Sequence, residues 1–242
     1  NTFYNINEIN INESDNSFEF HGPIKFLNRG SFMVSTRFYN SNGWLFGQNR
    51  LDIDDTVPIQ QFMQTAQLNM SDQERLAGIK IPDSLQTGDR SFVPLNDKKR
   101  SSYFSKIMFY PFEKLKLSYS LIYNSNESKS YSNYRRYTPS GVPTTYQTDI
   151  SQIISVNHMV SNKLFYTINL ANSINESQRF LFNDELNINY QGTPFSSNGY
   201  SFGGTSNSRN HIQNLSNNIK LDVTGQINQA NQMKVGFDYK VH

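Results

Sequence analysis

The chain has no cysteine, a single tryptophan, and only 36% hydrophobic and 17% charged residues in a length of 242. Without cysteine, a disulfide scaffold and a thiolate metal site are both excluded. Globular domains average roughly 45–50% apolar residues, so this chain is short of material for a large dry core. Yet low charge beside 18 Phe and 14 Tyr argues against a solvated, disordered chain. A net charge of +2 is too weak to point to nucleic acid, and no nucleic-acid partner is expected. No apolar run approaches the roughly 18 residues of a transmembrane helix. The first residues, from Asn1, lack the basic, apolar and small-residue regions of a signal peptide. The last ones, Met233 to His242, still alternate where the chain stops. An internal piece of a longer protein is therefore expected.

What the chain does have is period two. Leu115, Leu117, Tyr119, Leu121 and Tyr123 alternate with Lys116, Ser118, Ser120 and one exception, Ile122. Met233, Val235, Phe237, Tyr239 and Val241 alternate with Lys234, Gly236, Asp238, Lys240 and His242. A helix would scatter these polar residues around its circumference, whereas a strand sends them all to one face. The same reading, extended to weaker alternation, predicts strands at about 16–24, 31–46, 100–110, 114–125, 147–160, 163–177, 208–224 and 232–242. The expected fold class is all-β: an antiparallel up-and-down meander of about eight long strands.

The connections alternate in length. Short ones such as Tyr110-Pro111-Phe112-Glu113 and Ser161-Asn162-Lys163 carry Pro, Gly or Asn, the residues that fix φ or tolerate positive φ. Long ones span about 47–99, 126–146 and 178–207. The first holds a possible helix between Pro58 and Gly78, with a capping box at Ser71-Asp72-Gln73-Glu74; a solvated loop with one capped turn is the alternative. Gly203-Gly204, in a Ser/Asn-rich stretch, reads as a loop tip. A soluble sandwich has connections of a few residues at both ends. A membrane barrel has short periplasmic turns and longer extracellular loops, and its strands turn an apolar face to lipid and a polar face to a wet lumen. Residues 1–242 are accordingly expected to be a partial transmembrane β-barrel domain. Tyr110 and Phe112 at one end of the strands, with Tyr39 and Trp44 at the other, suit interfacial girdles and are also ordinary strand residues.

Several ordered segments resemble a known family. His21-Gly22-Pro23-Ile24, Phe32 to Asn40, and Asn42-Gly43-Trp44-Leu45-Phe46-Gly47 are similar to the opening barrel strands of TonB-dependent outer-membrane receptors, in a subgroup common in Bacteroidota-like bacteria. Thr87-Gly88-Asp89 with Phe92-Val93-Pro94-Leu95-Asn96 resembles that subgroup's "TGDxxxVPMNP". Lys114 to Ser120, Tyr137 to Pro143, His158 with Lys163-Leu164-Phe165-Tyr166, and Val235 to Tyr239 resemble four further segments, in order. Trp44 stands where the subgroup usually has Tyr, and Ser140 where it often has Asp. The resemblance implies about a third of a 22-stranded barrel in the bacterial outer membrane, closed by an N-terminal plug. It implies import of a scarce nutrient such as an iron chelate, cobalamin or oligosaccharide, energised by the TonB complex through parts absent from these residues.

No catalytic constellation is visible: GxGxxG, Walker and GxSxG runs are all missing, and neither an enzyme nor a cofactor is expected. The four histidines, His21, His158, His211 and His242, lack the convergent spacing of a zinc site, and no metal is expected. Five N-x-[ST] sequons match what an Asn- and Ser-rich chain yields by chance. One loop carries a binding hypothesis. Tyr131, Tyr134, Arg135, Arg136 and Tyr137 combine aromatic faces with guanidinium forks, which suit an anionic chelate or a sugar ring. An interfacial belt beside lipid headgroups is the plainer alternative. Lys98-Lys99-Arg100 is open to the same two readings, with anionic lipopolysaccharide as the plain partner. Two functions remain: the barrel wall and ligand-facing loops of a nutrient transporter, with outer-membrane lipid and lipopolysaccharide around it, or a soluble or cell-surface β-sheet binding or adhesion module.

Overall fold

Eight long strands follow one another in a single antiparallel meander. A computed structural model of the chain describes residues 12–27, 29–69, 81–191, 195–197, 200–228 and 230–242. The architecture is all-β, with 61% strand and 13% helix. In chain order the strands are β1 (Glu13–Ile24), β2 (Gly30–Ser41), β3 (Phe46–Gln48), β4 (Phe92–Pro94), β5 (Lys98–Phe112), β6 (Leu115–Lys129), β7 (Thr144–Ser161), β8 (Leu164–Phe180), β9 (Phe195–Ser197), β10 (Tyr200–Phe202), β11 (Asn210–Gln226) and β12 (Gln232–Val241). The long ones pair in the order β1-β2-β5-β6-β7-β8-β11-β12, while β3 with β4 and β9 with β10 form two small ribbons apart from them. The large sheet does not close on itself; among the described residues β1 and β12 each have one neighbour.

Register carries the alternation across the whole sheet. Phe32 pairs with Ile107, and the row continues through Tyr119, Ile154, Leu170 and Ile219 to Tyr239. The next row runs Phe109, Leu117, Val156, Ile168, Leu221, Phe237. Paired residues lie on the same side of a sheet, so one face is largely apolar. It is also bare: Phe20 is 70% exposed, Phe237 59% and Ile154 48%. The opposite face is polar and bonded to itself. Ser155 donates to Asn169 at 2.6 Å, Thr167 to Asn157 at 2.8 Å, and Lys234 lies 3.5 Å from Asp222.

Two sequence expectations need correction. The second strand, expected to reach residue 46, ends at Ser41. Gly43 then turns the chain out of the sheet at φ 72, where a Cβ would lie 2.2 Å from Asn96 Oδ1. Trp44 consequently stands beyond the strand, largely exposed. The helix exists but starts earlier, as α1 (Thr56–Asn69). The 3-10 turn Ile53–Asp55 that leads into it is capped by Asp52, which forms a capping box with Asp55. The box expected at Ser71–Glu74 falls outside the described residues. In the turn between β1 and β2, positive φ is taken by Arg29 at 48.

Candidate functional site in the folded loops

A meander places alternate connections at opposite ends. The short turns, 25–29, 113–114, 162–163 and 227–231, lie at one end; the long connections, 42–97, 130–143 and 181–209, lie together at the other. Among the described residues, only there is apolar burial deep. Leu51, Ile59 and Met63 form a core with Phe62, Ile81, Leu85, Tyr137 and Phe202 packed against it, so residues from all three connections share one folded cap.

The segments of the first connection that sequence singled out are its fasteners. Asn96 Oδ1 accepts from Leu45 N–H at 3.1 Å, tying the Gly43 turn to the β3–β4 ribbon. Asp55, 3% exposed, accepts from Thr87 twice, from its hydroxyl at 2.6 Å and its N–H at 3.1 Å. Gly88 passes so near the Asn49 carbonyl that a Cβ would sit 2.4 Å from the oxygen. Asp89 Oδ1 accepts from the Ser91 hydroxyl, the Ser91 N–H and the Asn49 amide, and these bonds hold its carboxyl below the usual carboxylate range.

The second and third connections lock onto the first. Thr138, fully buried, accepts from Gly203 N–H at 2.9 Å. Gly204 N–H donates to the Ile53 carbonyl at 2.7 Å, and Ser206 N–H to Gly141 at 3.1 Å. Gly203-Gly204 is therefore a buried joint, which corrects its reading as a loop tip. At Gly203, with φ 65, a Cβ would meet the Thr56 backbone nitrogen at 2.5 Å. Replacing Thr138 by Val keeps the shape and strands one buried N–H, at a cost of about 1–3 kcal/mol. Limited proteolysis is the measurement: the 130–143 and 200–209 segments should be cleaved faster in Thr138→Val, with the long strands unaffected.

The five residues of the proposed binding loop separate into two groups. Arg135 is 8% exposed, and its guanidinium donates to the Gly204 and Thr205 carbonyls at 3.2 and 2.8 Å. Burial lowers its pKa from the ordinary value, and Tyr134 beside it opposes that shift. Arg136 is sandwiched between Tyr137 and Tyr200, 4.5 and 4.2 Å from their ring centres, and donates to the Tyr137 hydroxyl, which raises its pKa. Tyr137 in turn stacks on Phe202 at 5.4 Å. Arg135 and Tyr137 thus belong to the joint, and Arg136 lies beside it between two rings. Tyr131 and Tyr134 remain outside it, each about two-fifths exposed. The space between Tyr131 and Arg136 is a cavity of about 10 Å³, room for one water and no ligand. A ligand would meet this cluster at its rim, on Tyr131, Tyr134 and the open edge of Arg136.

Comparison with protein-family models, with curated proteins and with solved structures finds no match.

Sequence reasoning missed Tyr200 and Phe202, which complete the aromatic cluster from far along the chain. Their one signal is their spacing around Ser201, which suits a short strand. Lys99 of the basic triplet is paired with Glu127 at 3.6 Å. His158 Nδ1 meets the Tyr166 hydroxyl at 3.1 Å, and His211 Nε2 meets Glu176 at 2.7 Å. Among the described residues no three His, Asp or Glu side chains converge as a metal site would need.

Proposed function

We propose that this chain forms part of the wall and the ligand-facing loops of a TonB-dependent transporter in the bacterial outer membrane. In this reading it imports a scarce nutrient such as an iron chelate, cobalamin or an oligosaccharide. The observation that carries the proposal is the bare apolar face. Leaving a Val, Leu or Phe side chain in water forfeits about 1.5–3 kcal/mol of burial each. Such residues fill row after row of eight strands. Soluble β-domains cover such a face with a second layer; the described residues contain none. Acyl chains are the cover that suits it, with the hydrogen-bonded polar face turned to a hydrated lumen. Strand length supports the same reading, because a tilted transmembrane strand needs about 9–11 residues and every long strand meets it. The family rests on the ordered motif resemblance alone, and the nutrient on that family. In this setting the capped end faces outward, with plug and TonB contacts supplied by other parts of the protein.

One observation favours the second reading, a soluble or surface-attached binding module. A stripe of amides crosses the apolar face: Gln152, Asn172 and Asn217 share one row. Lipid tolerates it only because the groups pair, Asn172 with Asn217 at 2.8 Å and Gln152 with the Tyr119 hydroxyl at 3.0 Å.

Nitroxide labels stepped through residues 115–123 of the whole protein in liposomes separate the two. Collision with oxygen should peak at 115, 117, 119, 121 and 123, and collision with a water-borne nickel chelate at the even positions between. Water access at the odd positions would defeat the membrane reading and leave the binding module in front.

A further inference from the structure

A cavity lies apart from the Arg136 cluster, where the third long connection leaves β8 and rejoins β11. It measures about 700 Å³ and opens to solvent, within the range of small-molecule sites. Arg179 and Phe180 line it from the end of β8, Phe182, Leu186 and Arg209 from the connection, and His211 from the start of β11.

Its charge is unbalanced. Arg179 Nε is buried and has no hydrogen-bond partner. A donor closed to solvent and left unpaired is costly. Arg209 lies 4.4 Å over the Tyr190 ring and donates to the backbone carbonyl of Glu185, so it too has no carboxylate partner among the described residues. The carboxylate nearest His211, Glu176, is already engaged by that imidazole and by the Gln178 amide. Glu185 is the one carboxylate on the described lining, against two guanidiniums. Beside this charge stands a braced aromatic wall. Phe180 stacks on Tyr146 at 4.9 Å, and Phe182 meets Tyr190 edge-on at 5.1 Å.

We propose that this cavity binds a small anionic ligand with a planar apolar body, an aromatic carboxylate, whose carboxylate takes the Arg179 and Arg209 forks while its ring rests on Phe180 and Phe182. Guanidinium forks match a carboxylate with paired, charge-assisted hydrogen bonds. Two guanidiniums on one lining, neither with a carboxylate partner among the described residues, are what a bound carboxylate would satisfy. The site does not depend on the membrane reading, since the same cavity would serve a surface-attached module.

The test is calorimetric titration of the whole protein in detergent with 2-naphthoate, blanked against empty micelles. 2-Naphthalenemethanol serves as the uncharged isostere. Saturable 2-naphthoate binding is expected, about ten-fold or more tighter than the alcohol. Arg179→Gln and Arg209→Gln should each weaken it about ten-fold, the loss of one charge-assisted hydrogen bond. Lys163→Gln, in the short turn at the opposite end of the sheet, should leave it unchanged. Absence of saturable binding, equal affinity for the alcohol, or undiminished binding in both glutamine variants would overturn the site. Arg209 is exposed, so its variant remains informative if Arg179→Gln fails to fold. The nitroxide pattern of β6 is indifferent to all these variants, so failure here and failure of the membrane reading are separable.

Discussion

Leu117→Arg in the whole protein should lower its stability in liposomes by about 2–4 kcal/mol, the cost of an arginine at the lipid midplane of a barrel. Leu117 stands near the short-turn end of β6, two residues from the centre of the apolar band Leu115–Tyr123, between Phe109 of β5 and Val156 of β7 on the apolar face. Ser118 is its neighbour on the other face, paired with Met108 and Ser155. Ser118→Arg should change stability by less than about 1 kcal/mol, because a hydrated face accepts the charge. The depth profile is the stronger discriminator. Tyr123 lies on the same face as Leu117, six residues nearer the capped end, and at a membrane interface the arginine penalty falls to about 0–1 kcal/mol. A protein–protein core at that face would give no such gradient, since it is dry along its length. Urea refolding into liposomes, monitored by heat-modifiable mobility on gels, measures all three variants. Equal penalties at 117 and 123 would count against lipid, and a greater penalty at 118 than at 117 would reverse the faces.

The strands were legible because their physics is local. Alternation in Leu115 to Tyr123 needs no knowledge of any other segment: period two places the side chains, and every neighbouring strand repeats the pattern. The sheet order followed from the short turns, since 113–114 and 162–163 leave no choice but antiparallel neighbours. Strand ends were less legible. β7 starts at Thr144 and β8 runs on to Phe180 because polar residues such as Gln147, Glu176 and Gln178 keep pairing above the apolar band, where hydrophobic alternation gives no signal. The cap was hidden for a different reason. Its stability lies in contacts between Asp55 and Thr87, Thr138 and Gly203, Arg135 and Gly204, which are 32 to 69 residues apart. Gly203-Gly204 among Ser and Asn looks like a flexible tip until Thr56 and Ile53 are brought against it. The pairing of Arg135 and Arg136 in sequence likewise said nothing of their separate roles. One points into the joint and the other lies between two tyrosines.

That separation gives the second large effect. Arg135→Ala should destabilise the cap by about 2–4 kcal/mol, because two carbonyls lose hydrogen bonds from a charged donor worth about 1.5–3 kcal/mol each, with partial recovery by entering water. The carbonyls belong to Gly204 and Thr205, which themselves donate to the Ile53 and Asn189 carbonyls. Loss of the guanidinium therefore loosens the joint that holds all three connections, not one loop. Arg135→Lys should recover little of it: a single ammonium on a flexible stem lacks the planar fork that reaches both oxygens. Arg136→Ala removes ring contacts with Tyr137 and Tyr200, worth about 0.5–1 kcal/mol at such a half-open site, and should leave the joint closed. Hydrogen exchange of the 200–206 backbone is the direct readout. Protection at Gly203 and Gly204 should collapse in Arg135→Ala and persist in Arg136→Ala, while the ladder between β6 and β7 stays protected in both. If the two variants lose protection equally, the buried fork is not what fastens the loops. The aromatic sandwich around Arg136 would then carry the cap, which would leave that arginine no freedom to meet a ligand at its rim.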